Sequence, residues 1–222
     1  MKKRFTLIEL LVVVAIIGIL SSILLPSLGM ARKKARESLS ISNLKQIYMG
    51  VVMYSTENDE YVPSPTNFVT DKHWPYYIYE SMSGKSLGTT AAQAREEMSR
   101  ASYSGVMYCP IVSDRNGGIS IHNMGRSDYG LNKYFRHTNG GMKKMTTASA
   151  GGEVEPMFIP IQGPANPSVW DTEVGNGPKY AAYYYGRDNK TLGLFIHGNV
   201  RYISVTEGAA IDSAVSNESN FE

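Results

Sequence analysis

Cysteine is nearly absent from this chain: Cys109 stands alone. A single thiol cannot close an intramolecular disulfide, and no multi-cysteine zinc site can form. The expectation for Cys109 is a small, partly buried, apolar side chain, with a nucleophile or an intermolecular disulfide as the alternative. Histidine is also scarce. His73, His122, His137 and His197 are scattered, with neither HExxH nor H-x3-H spacing, so they read as surface or turn residues, with a metal ligand as the alternative. Asp114, Asp128, Asp171 and Asp188 read as loop carboxylates without EF-hand spacing. No GxSxG, phosphate-binding loop or dinucleotide fingerprint occurs. A membrane-tethered enzyme therefore has no motif in its favour.

Strong net charge is lacking too, but the near balance hides an asymmetry. Residues 1–54 carry eight Lys/Arg and two Glu, and residues 55–222 carry fourteen Lys/Arg and eighteen Asp/Glu. The first part is thus +6 and the second −4. Positive charge belongs to the N-terminal arm. A globular nucleic-acid binder would concentrate it on the domain instead.

The most informative absence is local. From Leu10 to Ala31 there is no charged residue. About 20 apolar residues span a bilayer core as a helix. The run is too long for the apolar part of a cleavable signal peptide and lacks a small-x-small cleavage site. It reads as a retained membrane helix. Pro26 should kink it, because proline removes a backbone donor and crowds the preceding turn. Beyond Pro26, Ala31, Ala35, Leu39, Leu44, Ile47, Val51 and Tyr54 recur at helical spacing. Arg32, Lys33, Arg36, Asn43, Lys45 and Gln46 fill the other side. One helix from about Phe5 to Tyr54, ending near residues 55–59, would be roughly 75 Å long. No small domain buries that length. The first half needs lipid or copies of itself, and the second half needs the domain that follows.

Glu9 sits at the head of this apolar run. A carboxylate in a membrane segment is costly and usually has a partner. Either Glu9 lies at headgroup level, or it pairs with a positive charge on another copy. A newly exposed α-amino group at Phe5 would be such a charge. The pair would be buried and sensitive to register.

"FTLIELLVVVAIIGIL", with Glu9 fifth from Phe5 and Pro26 twenty-second, resembles the N-terminus of type IV pilins and type II secretion pseudopilins. "ARKKARESLSISNLKQIYMGVVMYSTENDEYVPSP" resembles the rest of their long helix and the turn after it. The likeness covers about the first 65 residues. It implies that a prepilin peptidase cuts between Arg4 and Phe5 on the cytoplasmic face and N-methylates the new terminus, and that Glu9 supports assembly. The family usually has glycine before the cut, where this chain has Arg4. That variant resembles pseudopilin-like proteins of the Lentisphaerae with large heads. The implied partners are the peptidase, other copies and other pseudopilins, the assembly platform and the inner membrane, with no nucleic acid. The implied location is a single-pass inner-membrane protein with a periplasmic head, forming a filament after assembly.

Residues 60–222 have the texture of a small α+β head. "TTAAQAREEMSRA" (89–101) reads as a short helix with capping-box spacing from Thr90 to Gln93. "GVMYCPIV" (105–112) and "VEPMFIPI" (154–161) read as short extended segments, their prolines pointing to sheet edges. "NGG" (116–118) and "TNGG" (138–141) read as turns. "TLGLFIHGNVRYISV" (191–205) reads as a hairpin turning at His197-Gly198-Asn199. The tail from Thr206 to Glu222 reads as frayed or as one weak helix. The tyrosine-dense stretches, "HWPYYIY" (73–79) and Tyr183-Tyr184-Tyr185, read as core or filament packing, with protein or glycan contact as the other use.

A weaker resemblance links "YCPIVSD" (108–114), "SDYGLN" (127–132) and "FIHGNVRYI" (195–203) to large-headed pseudopilin-like proteins. Those often carry His, nine residues, then Asp-Gly. Arg187 and His197 stand at those places here, so the pair is not carried over. Major pseudopilins hold calcium in a C-terminal loop. No clean ligand string for it appears here, so the expectation is no cofactor, with a bound calcium ion as the alternative. Arg32, Lys33, Lys34 and Arg36 suit either a solvated, intersubunit face or contact with phosphate of lipid or DNA.

The expected organisation is residues 1–4 leader, 5–30 membrane and filament-core helix, 31–58 amphipathic half, and 59–222 head. The expected fold is α+β and pilin-like, a long helix packed on a small antiparallel β-sheet. The expected function is a structural filament subunit of a secretion or pilus system and not an enzyme. The assembly residues would be Phe5, Glu9 and Pro26. The alternative is a single-pass anchored module that binds glycan or DNA and never polymerises.

Overall fold

The structure, a computed structural model, describes residues 6–63, 66–67, 72–88, 93, 104–113, 129–132, 144–146, 156–160, 173–174 and 190–204. Contacts divide the chain into two compact units, residues 1–38 and 39–222. Helix α1 (Leu7–Glu57) is 51 residues long and runs unbroken through Pro26. The proline's missing N–H leaves the carbonyl of Ser22 without its helical donor.

In the first unit the apolar side chains of α1 stand exposed. Leu7 is 80% exposed, and Leu10, Ile17, Ile23 and Leu25 are exposed likewise. This is the stretch long and apolar enough to cross a membrane.

In the second unit α1 turns one face inward: Ser40, Asn43, Leu44, Ile47, Gly50, Val51 and Ser55 are buried. Leu44, Ile47 and Val51 have no exposed surface, and each contributes roughly 1.5–3 kcal/mol of apolar burial. The face differs from the expected one. Ala31, Ala35 and Leu39 are exposed, and Asn43, expected on the solvent side, is buried. Among the described residues the fully buried positions of α1 begin at Ser40, and Asn43 is met there by carbonyls. Gly50 allows close approach: a Cβ there would run into Ile78 Cγ2 and Met82 Sδ.

Those two side chains belong to helix α2 (Trp74–Ser83), which buries Trp74, Pro75, Tyr76, Ile78 and Tyr79. The tyrosine-dense stretch at 73–79 is therefore core, as expected, although its helical form was not. Strands β1 (Thr66–Asn67) and β2 (Lys72–His73) pair antiparallel just before it.

The main sheet has five strands. They are β3 (Tyr129–Asn132), β4 (Pro156–Pro160), β5 (Glu173–Val174), β6 (Lys190–Phe195) and β7 (Val200–Ser204). Their order is β5-β3-β4-β6-β7. All neighbours are antiparallel except β3 and β5. The architecture is the expected pilin-like α+β arrangement. Leu192, Leu194 and Ile196 join Leu44, Ile47, Val51, Trp74 and Met157 in one core.

The hairpin β6–β7 forms as expected. Gly198 has φ 79°, its N–H donates to the Phe195 carbonyl at 2.9 Å, and Phe195 N–H donates to the Asn199 carbonyl at 3.0 Å. A Cβ on Gly198 would lie 2.6 Å from Tyr48 Cε1, so the turn lies directly on α1.

Two local expectations are corrected. Strand β4 is central, not an edge. Its prolines are its first and last residues, Pro156 and Pro160, where a missing N–H disturbs the ladder least. Residues 105–112 are not extended. They form two short helical turns, Ser104–Met107 and Pro110–Ser113. Pro110 opens the second, a place where its fixed φ fits and its lost donor is not missed. Asn43 satisfies carbonyls left over by the first. The expected helix at 89–101 (Gln93 excepted), the turns at 116–118 and 138–141, Tyr183–Tyr185 and the tail from Thr206 lie outside the described residues.

Candidate functional site

The N-terminus of α1 is closed by its own side chains. Thr6 N–H donates to Glu9 Oε2 at 2.8 Å, and Thr6 Oγ1–H donates to the same oxygen at 2.7 Å. Glu9 N–H donates back to Thr6 Oγ1 at 3.3 Å. This is a reciprocal capping box: a Thr at the cap and a Glu three residues on each satisfy an amide that the helix leaves unpaired. Glu9 thus has an intrachain use that the earlier reading missed. The signal was present, since Thr6-Leu7-Ile8-Glu9 has capping-box spacing directly before an apolar run. Both Thr6 bonds go to Oε2. Among the described residues no hydrogen bond to Oε1 occurs.

Arg4 and Phe5, the expected processing site, lie outside the described residues. Pro26 lies inside α1. Nearby, Ser22 Oγ donates to the Ile19 carbonyl at 2.7 Å and Ser27 Oγ to the Leu24 carbonyl at 2.9 Å. Two hydroxyls in the apolar run are therefore satisfied within the helix, which suits a segment with no water around it. The basic group follows at once. Arg32, Lys33 and Lys34 are exposed, and Lys33 Nζ lies 3.9 Å from Glu37 Oε1.

On the head side, Asn43 is 3% exposed. Its Nδ2 donates to the Gly105 carbonyl at 3.1 Å and the Tyr108 carbonyl at 2.8 Å. Ser40 Oγ lies 3.5 Å from Cys109 Sγ. Cys109 is fully buried, beyond the partial burial expected of it. At the far end, α1 stops in a Schellman turn: Glu60 N–H donates to the Ser55 carbonyl at 2.8 Å, with Asp59 at φ 50°. Met145 N–H donates to the Glu60 carbonyl at 2.8 Å, and Thr146 Oγ1 to Glu60 Oε2 at 3.1 Å. Tyr54, whose ring lies 5.6 Å from that of Tyr77 with the planes tilted by 55°, has its phenol pushed up by burial first and by neighbouring Tyr77 and Glu80 second.

The remaining expected residues do not gather. His197 is exposed in the β6–β7 turn and His73 lies in β2. His122, His137, Arg187, Asp114, Asp128, Asp171 and Asp188 lie outside the described residues. Among the described residues no group of three His, Cys, Asp or Glu side chains is placed to hold a metal ion.

An unbroken helix that is bare and apolar at its capped end, and half-buried in an α+β head at the other, defines a class. It is that of subunits anchored and associated through the helix and displayed by the head. Comparison with known proteins is consistent with it. The type IV wide pilus major component PilA4 of Thermus thermophilus is 32% identical over 117 residues, 53% of this chain and 77% of that protein. The type IV major pilin protein PilA of Myxococcus xanthus is 42% identical over 59 residues, 27% of each chain. The type II secretion system core protein G of Escherichia coli is 33% identical over 60 residues, 27% of this chain and 41% of that one. Against these last two, the match spans less than half of either relative's length. No family model matches, and no solved structure matches.

The chain belongs to the type IV pilin and type II secretion pseudopilin family. It is a structural subunit and not an enzyme. These relatives support the family and give no support to the narrower Lentisphaerae-like variant.

Proposed function

We propose that this chain is inserted in the bacterial inner membrane, cut between Arg4 and Phe5 by a prepilin peptidase, and polymerised through α1 into a type II secretion-like or type IV pilus-like filament. The observation that carries the reading is the bare apolar half of α1. Leu7, Ile8, Ile23, Leu24 and Leu25 are all at least 63% exposed. Isolated soluble proteins rarely leave a contiguous apolar surface of that extent uncovered. Lipid covers it before assembly, and the same helix of other copies covers it afterwards. The head then faces the periplasm. The other partners are further pseudopilins and the inner-membrane assembly platform.

Glu9 plays two parts in this reading. Oε2 caps its own helix, and Oε1 is left for the terminal amine of a neighbouring Phe5. One observation favours the rival, a single-pass anchored module that binds glycan or DNA without polymerising: the capping box already gives Glu9 a partner.

Two measurements separate them. The first is the mass of the N-terminal peptide from native membranes, expected to begin at N-methylated Phe5. A peptide beginning at Met1 refutes processing and leaves the anchored module. The second is Glu9→Gln. Glutamine can still serve in a capping box but carries no charge. Filament yield should collapse while the membrane level of the subunit holds. Normal filaments from this variant would reduce Glu9 to a cap.

A further inference from the structure

The basic residues after the apolar run form a collar. Successive side chains on an α-helix are turned by about 100°, so Arg32, Lys33, Lys34 and Arg36 fan over roughly 200° of the circumference of α1, a partial collar broader than one narrow face. Arg32, Lys33 and Lys34 are exposed. Lys33 reaches Glu37 at 3.9 Å, while Arg32 and Lys34 make no ion pair among the described residues. The collar stands 23 residues beyond Glu9 on one unbroken helix, a rise of roughly 34 Å. The hydrocarbon core of a bilayer is about 30 Å thick. When Glu9 lies at one headgroup layer, the collar lies in the other.

Topology signalling does not explain it. The cations that set orientation gather on the cytoplasmic side. Here three, Lys2, Lys3 and Arg4, precede the apolar run and four follow it. Duplex DNA is a poor fit, since the cations sit directly beside the membrane-spanning run and residues 55–222, which would have to lie along the duplex, are acidic overall.

We propose that this collar binds the phosphate groups of anionic phospholipids in the leaflet facing the head, with Arg32 and Lys34 as the principal contacts. The proposal rests on the membrane-spanning reading above. It makes the lipid a competitor of assembly: a subunit entering a filament must give up these headgroups, so anionic lipid holds the unassembled pool in the membrane.

The test uses the full chain reconstituted into vesicles of phosphatidylcholine and phosphatidylglycerol in equal amounts. Native mass spectrometry then counts the lipids retained. The wild type should retain phosphatidylglycerol preferentially. Each cation near an anionic surface favours it by about fivefold, so Arg32→Gln should lower the enrichment about fivefold. Arg32→Gln with Lys34→Gln should remove most of it. Glutamine is nearly as good a helix former as either residue, so α1 should persist. Lys45→Gln, exposed on the part of α1 that carries the head, should leave the enrichment unchanged. Raising the salt should reduce it. Equal retention of both lipids by an inserted wild type overturns the collar alone, as does an enrichment that survives the double variant. Displacement of the lipid by duplex DNA assigns the phosphate contact to nucleic acid and also overturns it. A chain that does not enter vesicles overturns the membrane reading and the collar with it.

Discussion

Asn43 offers the sharpest test of how α1 is fastened to the head. Its side chain is 3% exposed, on the helix face that carries Leu44 and Ile47. Both amide protons are used, on the carbonyls of Gly105 and Tyr108. Replacement by alanine deletes both donors. A buried carbonyl left without a partner costs about 1–3 kcal/mol. The two sites are not equal, however. Gly105 is exposed and water can replace the lost donor, while Tyr108 is half-buried. The sum should therefore be about 2–3 kcal/mol, not twice the full penalty. Helix propensity acts in the opposite direction, because alanine is the better helix former by a few tenths of a kcal/mol. The natural control is Gln46→Ala. Gln46 is exposed and, among the described residues, makes only intrahelical bonds, at 3.4 Å, to Ser42, so it should lose less than about 0.5 kcal/mol. The assay is urea unfolding of the full chain in detergent micelles, followed by tryptophan fluorescence, since Trp74 is fully buried. The midpoint should fall for Asn43→Ala at an unchanged slope. Asn43→Asp, which keeps the shape but sets a carboxylate against two carbonyls, should fall further. If Asn43→Ala lies within about 0.5 kcal/mol of the Gln46 control, the two hydrogen bonds do not fasten the helix and the reasoning fails.

Two further outcomes are expected. Asp59→Gly should stabilise the chain by about 0.5–1 kcal/mol, read as a raised unfolding midpoint, because Asp59 holds φ 50° at the place in a Schellman turn where glycine is preferred; an unchanged or lowered midpoint would show that the left-handed residue carries no strain there. Tyr54 has its phenol pushed above the ordinary value, foremost by burial. A raised value means that its contribution is fully present below the ordinary tyrosine range and is lost as pH climbs through the folded value. Wild type should therefore lose more stability than Tyr54→Phe between neutral pH and the alkaline range above about 10, and parallel pH curves would contradict this.

The head shows where reading residues one at a time loses its hold. The β6–β7 hairpin was legible because Gly198 and the flanking β-rich runs act locally. Strand β4 was legible as a strand, but its place was not: its prolines suggested an edge, and only the pairing with β3 on one side and β6 on the other makes it central. Residues 105–112 looked extended by composition. In their helical form they turn the carbonyls of Gly105 and Tyr108 to Asn43, sixty-two residues away from Gly105, a contact that no local pattern reports. Helix α2 was read as core without being read as a helix, since its aromatic residues suit strand and helix alike. The Thr6–Glu9 box is the opposite case. It is local, its spacing was visible, and the charge of Glu9 drew attention away from its simpler use.

By itself the sequence determined the long helix, the uncharged run in its first half, its end within residues 55–59, and the kind of protein that needs such a helix. These follow from periodicity and from the length of an uncharged run, which depend on residues close in the chain. Only the tertiary structure decided where burial begins, at Ser40 and not at Ala31, and that a polar Asn43 belongs to the buried face. Burial of a helical residue depends on what the rest of the chain sets against it. A polar residue is stable there only when distant carbonyls arrive to meet it.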